Sequence, residues 1–78
     1  MNIDRLKELR KYYNLNQEEV AKILKIQQQN YSRYELGNVA IPIEKLEILA
    51  NYYGTSIDYL IGRTDVKEPY PETNSKSR

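Results

Sequence analysis

The chain has 78 residues, 12 of them lysine or arginine and 11 aspartate or glutamate, for a formal net charge of +1. That length allows one small domain with a modest core, and the absence of cysteine excludes disulfides and thiolate metal sites. The absence of histidine removes the commonest metal ligand and general base together with the Ser-His and Cys-His nucleophile pairs, so no enzyme, metal or cofactor is expected.

Taken in chain order, the pattern predicts five helices. Residues 3 to 13 carry Ile3, Leu6, Leu9 and Tyr13 on one stripe, with Asp4 in the first turn and Asn14 as a stop. Asn16 is an N-cap with Glu19 as its box partner, and Val20, Ala21, Ile23 and Leu24 are the buried stripe of a second helix over 17–24. Lys25-Ile26 makes the turn, Gln27 opens a third helix to about Glu35, and Gly37 ends it. Pro42 suits the first turn of a fourth helix, whose inner side is Ile43, Leu46, Leu49, Ala50 and Tyr53. Thr55-Ser56 caps a short fifth helix with Ile57, Leu60 and Ile61 inward. Beyond Thr64 the chain is polar and aperiodic, with two prolines, and reads as a disordered tail or linker over 64–78, leaving 1–63 as the domain.

The third helix is the informative one. Apolar on one side, it carries glutamines, a serine and an arginine on the other, and Gln and Arg can each make two hydrogen bonds to a base edge in the major groove of DNA. On an arbitrary helix, Gln27-Gln28-Gln29 is a solvated face. Joined by a tight turn to a second amphipathic helix, the run reads as a base-reading surface. The net charge does not argue for nucleic acid, since many DNA-binding domains are clearly basic. Only the placement of charge does: Arg10, Lys11, Lys22, Lys25 and Arg33 come from the first three helices, and Glu44, Glu47 and Asp58 from the last two. Tyr12, Tyr13, Tyr31, Tyr34, Tyr52, Tyr53 and Tyr59 mostly fall on or beside core stripes, so core packing is the expected use, ahead of base stacking on single strands. Tyr52, Tyr53 and Tyr59 are also candidates for a dimer surface.

Gln17, Ala21 and Ile26, then Ser32-Arg33-Tyr34-Glu35 and Gly37, resemble the phage-repressor and Cro-like helix-turn-helix family, in order and at consistent spacing. Ile57-Asp58-Tyr59-Leu60-Ile61-Gly62 is similar to that family's closing helix. The resemblance covers residues 3 to about 63. It implies an all-α, five-helix lambda-repressor-like domain, acting as a homodimer on a palindromic double-stranded DNA operator with each third helix in a major groove.

Carried over position by position, the resemblance gives Gln17 a phosphate contact and a bracing role, and gives Gln28 and Gln29 the reading of base edges. Arg33 reaches a base or a phosphate, Gln27 and Ser32 are lesser contacts, and Asn38 meets phosphate after the helix. Arg10 and Glu35 match a partly buried pair that fixes the angle of the recognition helix. Three positions depart from the family pattern. Lys25 stands where glycine is usual, which strains the backbone or places an amine near DNA. Gln27 replaces a Ser or Thr cap, and Tyr31 replaces a smaller core residue. No apolar run approaches the roughly 18 residues that span a bilayer, and Met-Asn-Ile-Asp-Arg lacks the layout of a secretory signal. A bacterial or phage regulator, a repressor by resemblance, is therefore expected in the cytoplasm at the nucleoid, with no membrane partner and no small-molecule ligand. Two alternatives stand beside it: a protein-interaction module of the same fold, such as an antitoxin or anti-repressor partner, and the N-terminal domain of a longer repressor.

Overall fold

Five α-helices follow one another in the computed structural model, which describes residues 2–69. Asn2 starts the first: its side-chain oxygen accepts the Asp4 N–H at 2.9 Å, one of the donors every helix start leaves unpaired. α1 then runs Asp4–Tyr12. The chain reverses at Asn14, whose φ of 59° a short polar side chain tolerates, and the Leu15 N–H closes onto the Arg10 carbonyl at 2.9 Å.

α2, Gln17–Leu24, opens with a reciprocal capping box in which Asn16 and Glu19 each accept the other's backbone N–H at 2.8 Å. It ends at Lys25, left-handed at φ 60° and ψ 42°, with the Ile26 N–H bonded back to the Ala21 carbonyl at 2.9 Å. α3 is Gln28–Leu36. Gln27 sits at its N-cap rather than inside the helix and makes no side-chain cap bond, because its amide is a poorer cap than a serine or asparagine oxygen. α4, Ile43–Tyr53, starts after Pro42 at the N-cap. α5, Ile57–Leu60, is capped by Ser56 Oγ, which accepts the Tyr59 N–H at 3.0 Å.

Leu6 and Leu9 from α1, Val20, Ala21 and Leu24 from α2, and Tyr31 from α3 meet Leu46, Leu49, Ala50 and Tyr53 of α4 and Leu60 of α5 in one core. α2 packs most extensively against α3.

Several expected positions fall elsewhere. Ile43, expected on the inner side of α4, is 61% exposed, whereas Ile41 in the lead-in is buried. Ile43 is the first residue of its helix, at the edge of the body, and the chain leading into it folds beneath. The tyrosines divide: Tyr31 and Tyr53 are fully buried, while Tyr12, Tyr13 and Tyr52 are exposed. Adjacent residues on a helix point about 100° apart, so Tyr12-Tyr13 and Tyr52-Tyr53 cannot both face inward. Tyr13 instead stacks on Tyr53 with ring centroids 5.4 Å apart and donates its hydroxyl to the Tyr53 carbonyl at 3.2 Å.

Residues 64–69, assigned by pattern to the tail, run back along the helices. Arg5 Nη1 donates to the carbonyls of Tyr59 and Thr64, its guanidinium lies 4.0 Å above the Tyr59 ring, and Nη2 meets Asp65 at 2.6 Å. Thr55 Oγ1 donates to the Lys67 carbonyl. The rest of the expected tail, 70–78, lies outside the described residues. Among the described residues no helix is long and apolar enough to cross a membrane.

Candidate nucleic-acid interface

One buried ion pair joins α1 to the last turn of α3. Arg10 Nε donates to Glu35 Oε2 at 2.6 Å and Nη2 to Oε1 at 3.2 Å, a two-pronged pair whose side chains are 11% and 4% exposed. Arg10 Nη1 donates to the Leu15 carbonyl at 3.0 Å, and Gln17 Nε2 donates to Glu35 Oε1 at 3.1 Å. One carboxylate therefore ties α1, the following loop and the start of α2 to the last turn of α3. Burial pushes the Glu35 carboxyl up, but hydrogen bonds from Arg10 and Gln17, with the Arg10 charge and the nearby Tyr31 hydroxyl, outweigh it and hold Glu35 below the usual carboxylate range. Its pairing with Glu35 raises Arg10 in turn, against burial.

Tyr31 lies under this network. Burial, then the neighbouring Glu35, drives its hydroxyl far above the ordinary tyrosine value. The hydroxyl faces the carboxylate without meeting hydrogen-bond geometry and has no partner among the described residues.

With α3 so held, Gln17, Gln28, Gln29, Ser32, Arg33 and Asn38 line one open groove of about 660 Å³, together with Leu36. Gln28, Gln29 and Arg33 are exposed, and among the described residues no hydrogen bond or ion pair holds their side chains. Gln27 is exposed at the N-cap and does not line the groove. The Asn38 backbone N–H is taken by the Arg33 carbonyl at 3.0 Å, which leaves its side chain as the donor. Leu36, 69% exposed, is the groove residue that the pattern reading missed. Its signal was present, since Gln29, Ser32 and Leu36 follow helical spacing along one stripe. A second concavity of about 550 Å³, over α4 and α5, is lined by Glu47, Asn51, Thr55 and Asp58 and holds none of the predicted site residues.

The expected basic border is thinner than the count of cations suggests. Arg10 is consumed by Glu35, so its charge is neutralised inside the fold. Lys11, Lys22, Lys25 and Arg33 remain exposed on the first three helices.

A helix-turn-helix family model matches residues 6–60, spanning α2, α3 and the turn that joins them. The chain belongs to the helix-turn-helix family. In this chain α1, α4 and α5 pack around that unit. Over 72 residues, 92% of this chain, it is 39% identical to two proteins of Bacillus subtilis (strain 168): the uncharacterized HTH-type transcriptional regulator YobD and the HTH-type transcriptional regulator AnsR. It spans 64% and 62% of their respective lengths, less than two thirds of either. A solved structure of a transcriptional regulator from Listeria innocua superposes with a TM-score of 0.74 at 32% identity, covering 96% of this chain and 68% of that one.

Proposed function

We propose that this helix-turn-helix domain binds double-stranded DNA in a sequence-specific manner and regulates transcription, as a homodimer on a palindromic operator that it occupies to block polymerase. The observation that carries this reading is the groove: the side chains of Gln28, Gln29, Ser32 and Arg33 on α3, flanked by Gln17 and Asn38, beside a helix end tied to α1 by a buried ion pair. α3 enters the major groove with Gln28 and Gln29 leading, and these pair with adenine through N6 and N7, while Arg33 pairs with guanine. Leu36 supplies an apolar surface for a thymine methyl group. Gln17, already bonded to Glu35, has a second amide N–H for phosphate, and the Asn38 side chain meets phosphate at the other end of the helix. Two-fold symmetry makes the operator palindromic, and the repeat of the duplex puts its half-sites one helical turn apart, about 34 Å.

Selection from a random duplex library at two salt concentrations tests it. A palindromic consensus whose affinity falls steeply with salt is the expected result. No enrichment by the folded chain would reject DNA reading and leave the interaction-module reading.

A further inference from the structure

Four residues with left-handed backbone suit that conformation: Gly37, Gly54 and Gly62 have no β-carbon, and Asn14 is short and polar. Lys25 does not. It carries a β-carbon and a four-carbon stem through the left-handed region at the junction of α2 and α3. Packing does not demand a lysine there. Its side chain is exposed, and no ion pair or hydrogen bond among the described residues engages it. Nor does the end of α2 depend on it, because the Leu24 carbonyl accepts from Lys45 Nζ at 3.0 Å. Glycine would make the same turn without strain, as it does at the ends of α3 and α4.

The supply of cations gives the position its meaning. Arg5 is turned onto Asp65, Arg10 onto Glu35, Lys45 onto the Leu24 carbonyl and Lys67 onto the Tyr12 and Tyr13 rings. On the α2–α3 unit that leaves Lys22, Lys25 and Arg33, all exposed. Of these, Lys25 stands next to the leading end of α3, three residues before Gln28. A helix that enters the major groove end-on has a phosphate wall on each side of that end.

We infer that Lys25 is a DNA-phosphate contact, and that the chain holds a strained lysine in the turn because its amine binds the backbone beside the recognition helix. This rests on the DNA-reading function proposed above. The contact adds affinity and register without reading a base. Strain retained where a less strained residue would fit is the signature of a functional position.

Lys25→Gly and Lys25→Arg test it beside the wild type, by thermal unfolding and by anisotropy titrations across a salt series. The probes are a labelled random-sequence duplex and the duplex selected by the wild-type chain. Lys25→Gly should melt a few degrees higher. It should also bind both duplexes more weakly, by about 5-fold per protomer near 0.15 M salt, with the slope of log K against log salt reduced by about 0.9 per protomer. Lys25→Arg should keep the affinity, slope and melting temperature of the wild type. A Lys25→Gly chain that melts higher but keeps both affinity and slope overturns the inference and leaves the DNA-reading function standing. So does a loss confined to the selected duplex with the slope unchanged, which would assign Lys25 to helix pose. A wild type that binds neither duplex overturns both.

Discussion

Glu35 is a buried carboxylate kept charged by its neighbours, and its cost and its use can be separated. Because its folded pKa is held below the unfolded value, it contributes stability that is present above about pH 4.3 and lost as pH falls through the folded value. Glu35→Gln should remove that acid-side dependence in urea titrations. It should also cost about 3 kcal/mol at neutral pH, because Arg10 is left buried without its counter-charge. Replacing the pair by apolar residues, Arg10→Met with Glu35→Leu, should recover most of that stability while DNA binding stays impaired. Recovery of both would mean that the pair does not set the pose of α3. Tyr31 and Tyr53 titrate in the opposite sense. Burial, first among the causes, raises both hydroxyls, so their contribution is present below about pH 10 and lost above it, at about 1.4 kcal/mol per pH unit for each group. Tyr31→Phe should flatten that alkaline loss. At neutral pH it should shift stability by no more than about 1 kcal/mol, since it removes a buried hydroxyl without a hydrogen-bond partner but also the hydroxyl that helps hold the Glu35 charge.

The helices are only 4 to 11 residues long, too short to persist alone, so their ends and their packing decide whether they form. α2 has the best-capped start, through Asn16 and Glu19. Asn16→Ala should cost about 1 kcal/mol, read as a lower denaturant midpoint with an unchanged slope. α3 has no side-chain cap and a single fully buried residue, Tyr31. It is held by tertiary contacts to α2 and by Glu35, which leaves its outer face free to be polar.

Across the whole molecule, the segment 64–69 closes the gap between the first helix and the last. Arg5 does this with bonds to two carbonyls and a ring contact, all partly buried. Its partner Asp65 is 97% exposed, so that pair is solvent-screened. Arg5→Ala should therefore lower stability by about 2 kcal/mol and Asp65→Ala by less than about 0.5 kcal/mol, compared by thermal melts. Equal losses would mean that the ion pair, not the carbonyl clamp, holds the segment.

Local signals were enough to place the helices. Asn16 with Glu19, Gly37, Gly54 and Ser56 mark ends through bonds to their own neighbours, and the spacing of Leu6 with Leu9 and of Leu46, Leu49 and Tyr53 marks the inner faces. The register of Gln28, Gln29, Ser32 and Arg33 on one outer stripe follows from helical geometry in the same way. Long-range placement was not legible, because spacing along one helix says nothing of where the body ends. That is why Ile43 emerged exposed and Ile41 buried, why Tyr31 and Tyr53 entered the core while Tyr34 and Tyr59 only line it and Tyr12, Tyr13 and Tyr52 lie outside, and why an apparent tail lies on α1. It is also why Leu36 was overlooked: its exposure depends on what fails to pack over the end of α3. Periodicity is a property of neighbours in the chain. Burial belongs to neighbours in space.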